Sequence, residues 1–504
     1  MKDQKKIGIS LSYISMLLST IANIVVTPII ISALGDNDYS IYKVMQAFAG
    51  PLIMFNLGVA TIVTRAIVRY NTLESCSLKE KQNTLALAML TSVIMSVFVA
   101  IGGVVMYFLI PSIYGANYTN EGVILGQRIF ILFVFSTILQ ILTDVFSGCA
   151  IGRERFAFNS GVSLLRVVLR PCLIVIFLKL GYGAIQVVAA ECLTAVIVFA
   201  LSAWYALGVL KERPKLTYID KKELLEMLSF STAILLQAIV NQVNNNVDTI
   251  LLGVFVSEKS LITMYSSALV IYAAYNSLIS VVARFFLPKA TRLIAQNASG
   301  DELTDFVVKP GRFQAMVAVA IVGGFFSLGK DFITIWIGSQ YQTAYYIVLI
   351  LIIPVTIPLV ENTAISILDA TMKRIFRSVV LVVMAVINVG MSIVFMRYMS
   401  YWGAVLGTFV SLCVGHIFLM NWYYKKTFDM KIGRMFKEIF SGILPCGLIS
   451  AAIIFGIGKV VPFSIPAFFI RGFVFVILYG GLLLKFGLKD SEKKMIPGLS
   501  KICL

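Results

Sequence analysis

The sequence predicts an all-α integral membrane protein of about fourteen transmembrane helices, and three observations predict it. Of 504 residues, 59% are hydrophobic and only 13% charged, about half the charged share of a typical soluble chain. Mean hydropathy is +0.92. Apolar runs of about 20 residues, the length of a membrane-crossing helix, recur from end to end. Backbone groups in lipid must bond internally, so such runs form helices. The alternation that barrel strands need is not sustained anywhere.

In chain order the spans are expected at 9–33, 43–64, 84–110, 129–151, 160–178, 184–209, 229–254, 261–287, 313–337, 345–368, 376–396, 403–424, 439–461 and 465–484. The first follows Lys2, Lys5 and Lys6 but has no small-residue cleavage site, so it reads as a span and not a signal peptide. With the N-terminus inside, 32 of the 42 basic residues fall in cytoplasmic segments, seven in outer loops (Lys43 among them) and three within spans. That bias fits the positive-inside rule and puts both termini in the cytoplasm. The longest cytoplasmic loop is expected at 288–312, turning at Asn297, Ser299, Gly300 and Asp301. A charged segment, 209–228, joins spans six and seven.

The net charge of +17 is accounted for by this anchoring. No basic tract interleaves with aromatics as a nucleic-acid surface would. Seven cysteines are scattered without a CxxC, so neither a disulfide frame nor a zinc site is indicated. His416 is the only histidine, which leaves metal-hydrolase and Ser-His-Asp chemistry little footing. Neither GxxxxGK[ST] nor GxGxxG occurs, so no nucleotide cofactor is expected.

The chain repeats itself at an offset near 219. Leu34-Gly35 recurs as Leu252-Gly253, Arg65 as Arg284, and Arg153 as Lys373. Gly183-Ala184 recurs as Gly403-Ala404, and Trp204-Tyr205 as Trp422-Tyr423. Each repeat holds six spans, which gives both the same orientation and suggests a transporter with its site between halves. The expected organisation is two six-helix lobes, 1–218 and 219–436, then two appended helices with a tail, 437–504.

Charged groups in a bilayer need a partner or a wet cavity. Arg166 and Arg170 lie within span five, four apart and so on one helix face. Three readings stand: a cationic patch for an anionic group, since guanidinium forks suit phosphate oxygens, a structural ion pair with an acid such as Asp144 or Glu191, or a span that starts later than drawn. In span seven, Gln237, Asn241, Asn244 or Asn245, and Asp248 follow helical spacing as a polar stripe. Such a stripe lines water or bonds a neighbouring helix. Ser19 and Asn23 in span one are its repeat partners, and Gln140 and Asp144 lie four apart in span four. Span ten carries Pro354, Pro358, Glu361 and Asn362, where prolines interrupt or bend a helix. Asp248, Asp144, Glu191 and Glu361 are candidates for ion coupling, or for pairing with the arginines.

The run TPIIISALGDNDYSIYKVMQ, followed by FNLGVATIVTRAIVR, resembles the start of the Wzx-type polysaccharide repeat-unit flippases, within the multidrug/oligosaccharidyl-lipid/polysaccharide exporter superfamily. The resemblance is carried by Pro28, Leu34, Gly35, Tyr39, Tyr42, Leu57, Gly58 and Arg65. GRERF, VDTILLGVF and ITIWIGSQY extend it over nearly the whole chain. Asn56 departs from it, standing where many relatives carry an acid. The resemblance implies a central cationic cavity and a bacterial cytoplasmic-membrane protein that flips undecaprenyl-pyrophosphate-linked oligosaccharide to the outer leaflet by alternating access. The expected partners are that substrate, membrane lipids, and the polymerase and glycosyltransferases of its pathway; a monomer is expected. The candidate substrate-binding residues are then Arg166, Arg170, Arg65, Arg284, Asn23, Gln237, Asn241 and Asn245. The alternatives are a lipid II flippase, a cation-coupled multidrug exporter, and a membrane polymerase or ligase. The multidrug reading is disfavoured by the arginines and the last two spans. The polymerase or ligase reading is disfavoured by the lack of a large outer loop.

Overall fold

The computed structural model of the protein describes residues 2–56, 58–72, 77–221, 224–225, 242–280, 286–371 and 373–493. Among them there is no strand. Eleven helices are long and apolar enough to cross a membrane, or twelve with one bent pair counted as a span. Every expected span except the seventh falls on one of these helices, the first two together on the 62-residue run Ser10–Asn71; most of the seventh lies outside the described residues. The fold is an all-helical, multi-span membrane fold. Its residues group into two compact units, Met1–Ser266 and Ser267–Leu504.

The first unit opens with α1 (Lys2–Ala49), which carries span one and the start of span two. Its two halves meet at Gly35, with φ 68° and ψ 175°. That combination is essentially confined to glycine. A Cβ there would meet nothing within 4 Å, so the requirement comes from the backbone and not from packing. A 3₁₀ segment, Gly50–Asn56, leads to α2 (Val59–Thr72). Next come α3 (Leu78–Tyr114), α4 (Asn120–Gly152), α5 (Phe156–Lys179) and α6 (Ala184–Trp204). A π turn, Tyr205–Val209, ends α6. The helical residues 242–255 form α7.

α2 and α4 approach closely because α4 has no side chain at two contact points. A Cβ at Gly148 would lie 2.7 Å from the Ala60 carbonyl oxygen, and one at Gly152 2.8 Å from Ile67 Cβ. The Thr64 hydroxyl donates to the Gly148 carbonyl at 3.2 Å. Small residues permit this spacing in membranes, where no hydrophobic force drives helices together.

The charged segment after α6 is strapped down. Buried Glu212 accepts from Lys81 Nζ at 2.9 Å and Arg153 Nε at 2.5 Å. Asn83 Oδ1 accepts from the Thr217 and Tyr218 N–H groups at 2.8 and 3.1 Å. A linker whose Leu216, Tyr218 and Ile219 side chains are exposed is thereby held through its backbone and one acid.

α8 (Lys259–Ser280) crosses the division, and the second unit continues with α9 (Leu287–Ala295) and α10 (Gly300–Trp336). The loop expected at 288–312 is therefore largely helical. Ser299 and Glu302 form a capping box that starts α10 at Gly300, satisfying backbone donors that would otherwise be orphaned. α3 begins with the same box at Ser77 and Glu80 and has the same 37 residues.

α11 (Ala344–Val360) contains Pro354 and Pro358, and a 3₁₀ turn, Asn362–Ala364, bends it by 45° into α12 (Ile365–Ala370). Each proline removes a helical N–H donor. α13 (Arg374–Met399) and α14 (Tyr401–Leu412) form a hairpin. α14 runs through a π segment, Cys413–Met420, into α15 (Asn421–Phe428). Each unit holds one tightly stacked ring pair of matching position, Phe158 on Tyr205 at 3.6 Å and Phe376 on Tyr423 at 3.9 Å. Both rings of the second pair lie 218 residues after those of the first.

α16 (Ile432–Phe440), α17 (Ile443–Val460), α18 (Ile465–Leu482) and the short α19 (Asp490–Lys493) complete the unit. One buried side chain gathers their ends. Arg312 on α10 is 2% exposed. Its Nε and Nη2 bind the two Glu492 oxygens at 2.6 and 3.0 Å. Its remaining donors reach the carbonyls of Glu438, Ser441 and Gly487. A guanidinium has no lone pair to share, so five acceptors around it form a complete shell.

Candidate functional site

α5 packs against both α1 and α6. The spacing of four between Arg166 and Arg170 turns both guanidinium groups to the same side. The two side chains border a cavity of about 160 Å³ inside the first unit. Its polar lining also includes Ser19 and Asn23 from α1, Ser136 and Gln140 from α4, and Glu191 from α6. Pro171, next to Arg170, lacks the N–H that would bond the Val167 carbonyl, and both of these residues line the cavity too.

Arg170 Nη2 lies 3.2 Å from Glu191 Oε2, and both side chains are 29% exposed. The Arg170 Nε is buried without an acceptor. Arg166 is within electrostatic reach of Asp144 and Glu191. The ion-pair reading of the arginines therefore holds for Arg170 and Glu191, yet the pair borders an open space instead of being sealed within the helix packing.

Two neighbours were not legible as site residues. Lys43 was expected in an outer loop. It lies instead on α1, beside Arg170 and Glu191 in electrostatic terms, with its ammonium 5.4 Å from the Tyr42 ring centre. Tyr42 itself is buried, with its hydroxyl next to Arg170. The polar run Gly35–Asp38 reads as a wide turn in hydropathy, but the helix resumes directly after Gly35. The sequence signal that marks these two is their position about two helical turns after that glycine.

The other expected residues are placed elsewhere. Asn23 borders the cavity, and Asp144 sits on α4 within electrostatic reach of Arg166. Arg65 is exposed on α2 and Asn245 on α7; neither lines the cavity. Asp248 is buried and accepts from the Tyr265 hydroxyl at 2.8 Å. Glu361 belongs to the second unit, buried at the break between α11 and α12, with Oε2 lacking a hydrogen-bond partner. Arg284, Gln237 and Asn241 lie outside the described residues. Among the described residues, no group of three His, Cys, Asp or Glu side chains could hold a metal ion.

The cavity can hold an anion. It offers two fork-shaped cations, hydroxyl and amide groups around them, and a donor still unused. Its volume is well under the roughly 300–1,000 Å³ of a drug-sized pocket. It therefore fits a fragment of head-group size.

Comparison with known proteins supplies a family and a fold. A family model described as "Polysaccharide biosynthesis protein" matches residues 6–294. Among solved structures, the lipid II flippase MurJ in an inward closed conformation superposes with a TM-score of 0.73 at 16% identity, covering 94% of this chain and 97% of that one. An inward-facing multidrug-resistance MATE transporter of the MOP superfamily superposes with a TM-score of 0.57 at 14% identity, covering 84% and 99%. No curated protein sequence matches significantly.

Proposed function

The chain belongs to the polysaccharide biosynthesis protein family, and from that premise we propose that it flips lipid-linked oligosaccharide repeat units, joined through a diphosphate, from the cytoplasmic to the outer leaflet. The observation that carries this reading is the arginine-lined cavity within the apolar helices of the first unit. A charge in that setting costs several kcal/mol unless it is paired or wet. Arg166 and Arg170 are partly open to a space that suits a phosphate, and guanidinium forks match phosphate oxygens two at a time. The lipid tail stays in the bilayer, the diphosphate sits at the arginines, and the sugars extend into space beyond this small cavity. The protein acts as a monomer in the bacterial cytoplasmic membrane with both termini inside, and it works as a transporter and not an enzyme. Its lobes rock to give alternating access. The polymerase and glycosyltransferases of the pathway act before and after it.

A lipid II flippase is the second reading, favoured by the superposition on MurJ. The two readings share the diphosphate and differ in the sugar. The test is complementation in a cell lacking its own flippase. The wild-type gene restores surface polysaccharide, and the Arg166→Ala/Arg170→Ala double variant, present at normal levels in the membrane, does not. Full restoration by the double variant sinks the assigned role. Rescue of a strain depleted of its lipid II flippase, without rescue of the polysaccharide mutant, selects the second reading.

A further inference from the structure

Glu191 does not belong in a site built only to attract anions. It stands on α6 across from Arg170, with the two groups 3.2 Å apart and equally open to the cavity. Lys43 and Arg166 also feel its charge. Three cations thus share the carboxylates of Glu191 and Asp144, and the arginine in direct contact with Glu191 keeps one buried N–H without an acceptor. A carboxylate needed only to cancel charge would gain most from a sealed, fully bonded pair. This one sits where an incoming anion must compete with it.

We propose that Glu191 is an internal counter-ion that pairs with Arg170 and must be displaced by an incoming phosphate, so that a single phosphate binds weakly and a diphosphate binds well only through its second charge. This deepens the reading of the cavity as the phosphate site and rests on it. A monophosphate diester exchanges one negative charge for another at Arg170, an even trade that gains little. A diphosphate diester makes the same trade and brings a second charged group, which reaches Arg166 one helical turn away. The carboxylate thereby cancels the first charge of any ligand and leaves only the second to contribute to binding.

The experiment measures binding of a short-chain polyprenyl diphosphate sugar and of the matching monophosphate sugar to the full-length protein in detergent, by calorimetry. Wild type favours the diphosphate. Glu191→Gln, which keeps the shape and removes the charge, strengthens monophosphate binding by about tenfold, the scale of one charge-assisted hydrogen bond. Diphosphate binding strengthens by a similar factor. Glu191→Asp, which withdraws the carboxylate by one methylene, strengthens both by less, and it serves if the glutamine variant fails to insert. Unchanged affinity for both ligands in both variants, with diphosphate binding still weakened by Arg170→Ala, overturns the role of Glu191 and leaves the phosphate site standing. Diphosphate binding indifferent to Arg170→Ala overturns both.

Discussion

Arg312 shows what a charged residue does when it is structural, and so sharpens what Arg170 is not. All of its donor groups are engaged, and it is almost fully buried. Removing one partner of such a pair leaves an uncompensated buried charge and costs about 3–5 kcal/mol. Arg312→Ala should therefore lower the thermal midpoint in detergent by several degrees, while a surface change such as Lys431→Ala leaves it in place. The pair also has a pH signature. Burial pushes the Glu492 carboxyl up, but its hydrogen bonds from Arg312 and the Lys489 N–H outweigh that and hold it below its ordinary 4.5. A depressed folded value means the stabilisation is whole above pH 4.5 and is lost as pH falls through the folded value. Protease sensitivity of the C-terminal segment should rise only below pH 4.5, and Glu492→Gln should remove that dependence. Neither partner was legible in sequence. Arg312 falls at the edge of a hydropathy window where a basic residue looks like an ordinary loop anchor, and Glu492 is 180 residues away. Arg166 and Arg170 were legible because each interrupts an apolar run at helical spacing.

At the scale of elements, hydropathy reads solubility in lipid and not helicity. α3 and α10, with 37 residues each, are about 55 Å long at 1.5 Å per residue, well beyond the roughly 30 Å of a bilayer core. Their polar first turns continue the helix outside any apolar window. That is why the segment before Arg312 reads as a loop, although Ser299 and Glu302 spell a capping box. The bent pair of α11 and α12 was legible from Pro354 and Pro358, because a missing N–H acts locally. The close approach of α2 and α4 was not, since Gly148 and Gly152 acquire meaning only once Ala60 and Ile67 face them. Gly148→Leu should force those helices apart and cost about 1–3 kcal/mol or more. The expected result is loss of monodisperse protein on gel filtration, whereas Gly161→Leu, where a Cβ meets nothing within 4 Å, should be tolerated.

For the whole molecule, the family and the multi-span helical fold are established, and the transport of a lipid-linked cargo is the claim at stake. A 219-residue repeat, a basic bias between loops and two intramembrane arginines pointed to a transporter before any coordinates. Only the fold could show that Ser19, Asn23, Gln140 and Glu191 converge on those arginines from three other helices. The most direct measurement is leaflet-to-leaflet movement of a fluorescent lipid-diphosphate oligosaccharide in sealed proteoliposomes, read as the fraction of probe that becomes accessible to an external quencher or glycosidase. The wild-type protein should move the probe across, and the Arg166→Ala/Arg170→Ala variant, reconstituted at equal density, should fall to the level of protein-free vesicles. Equal movement by wild type and double variant would contradict the account.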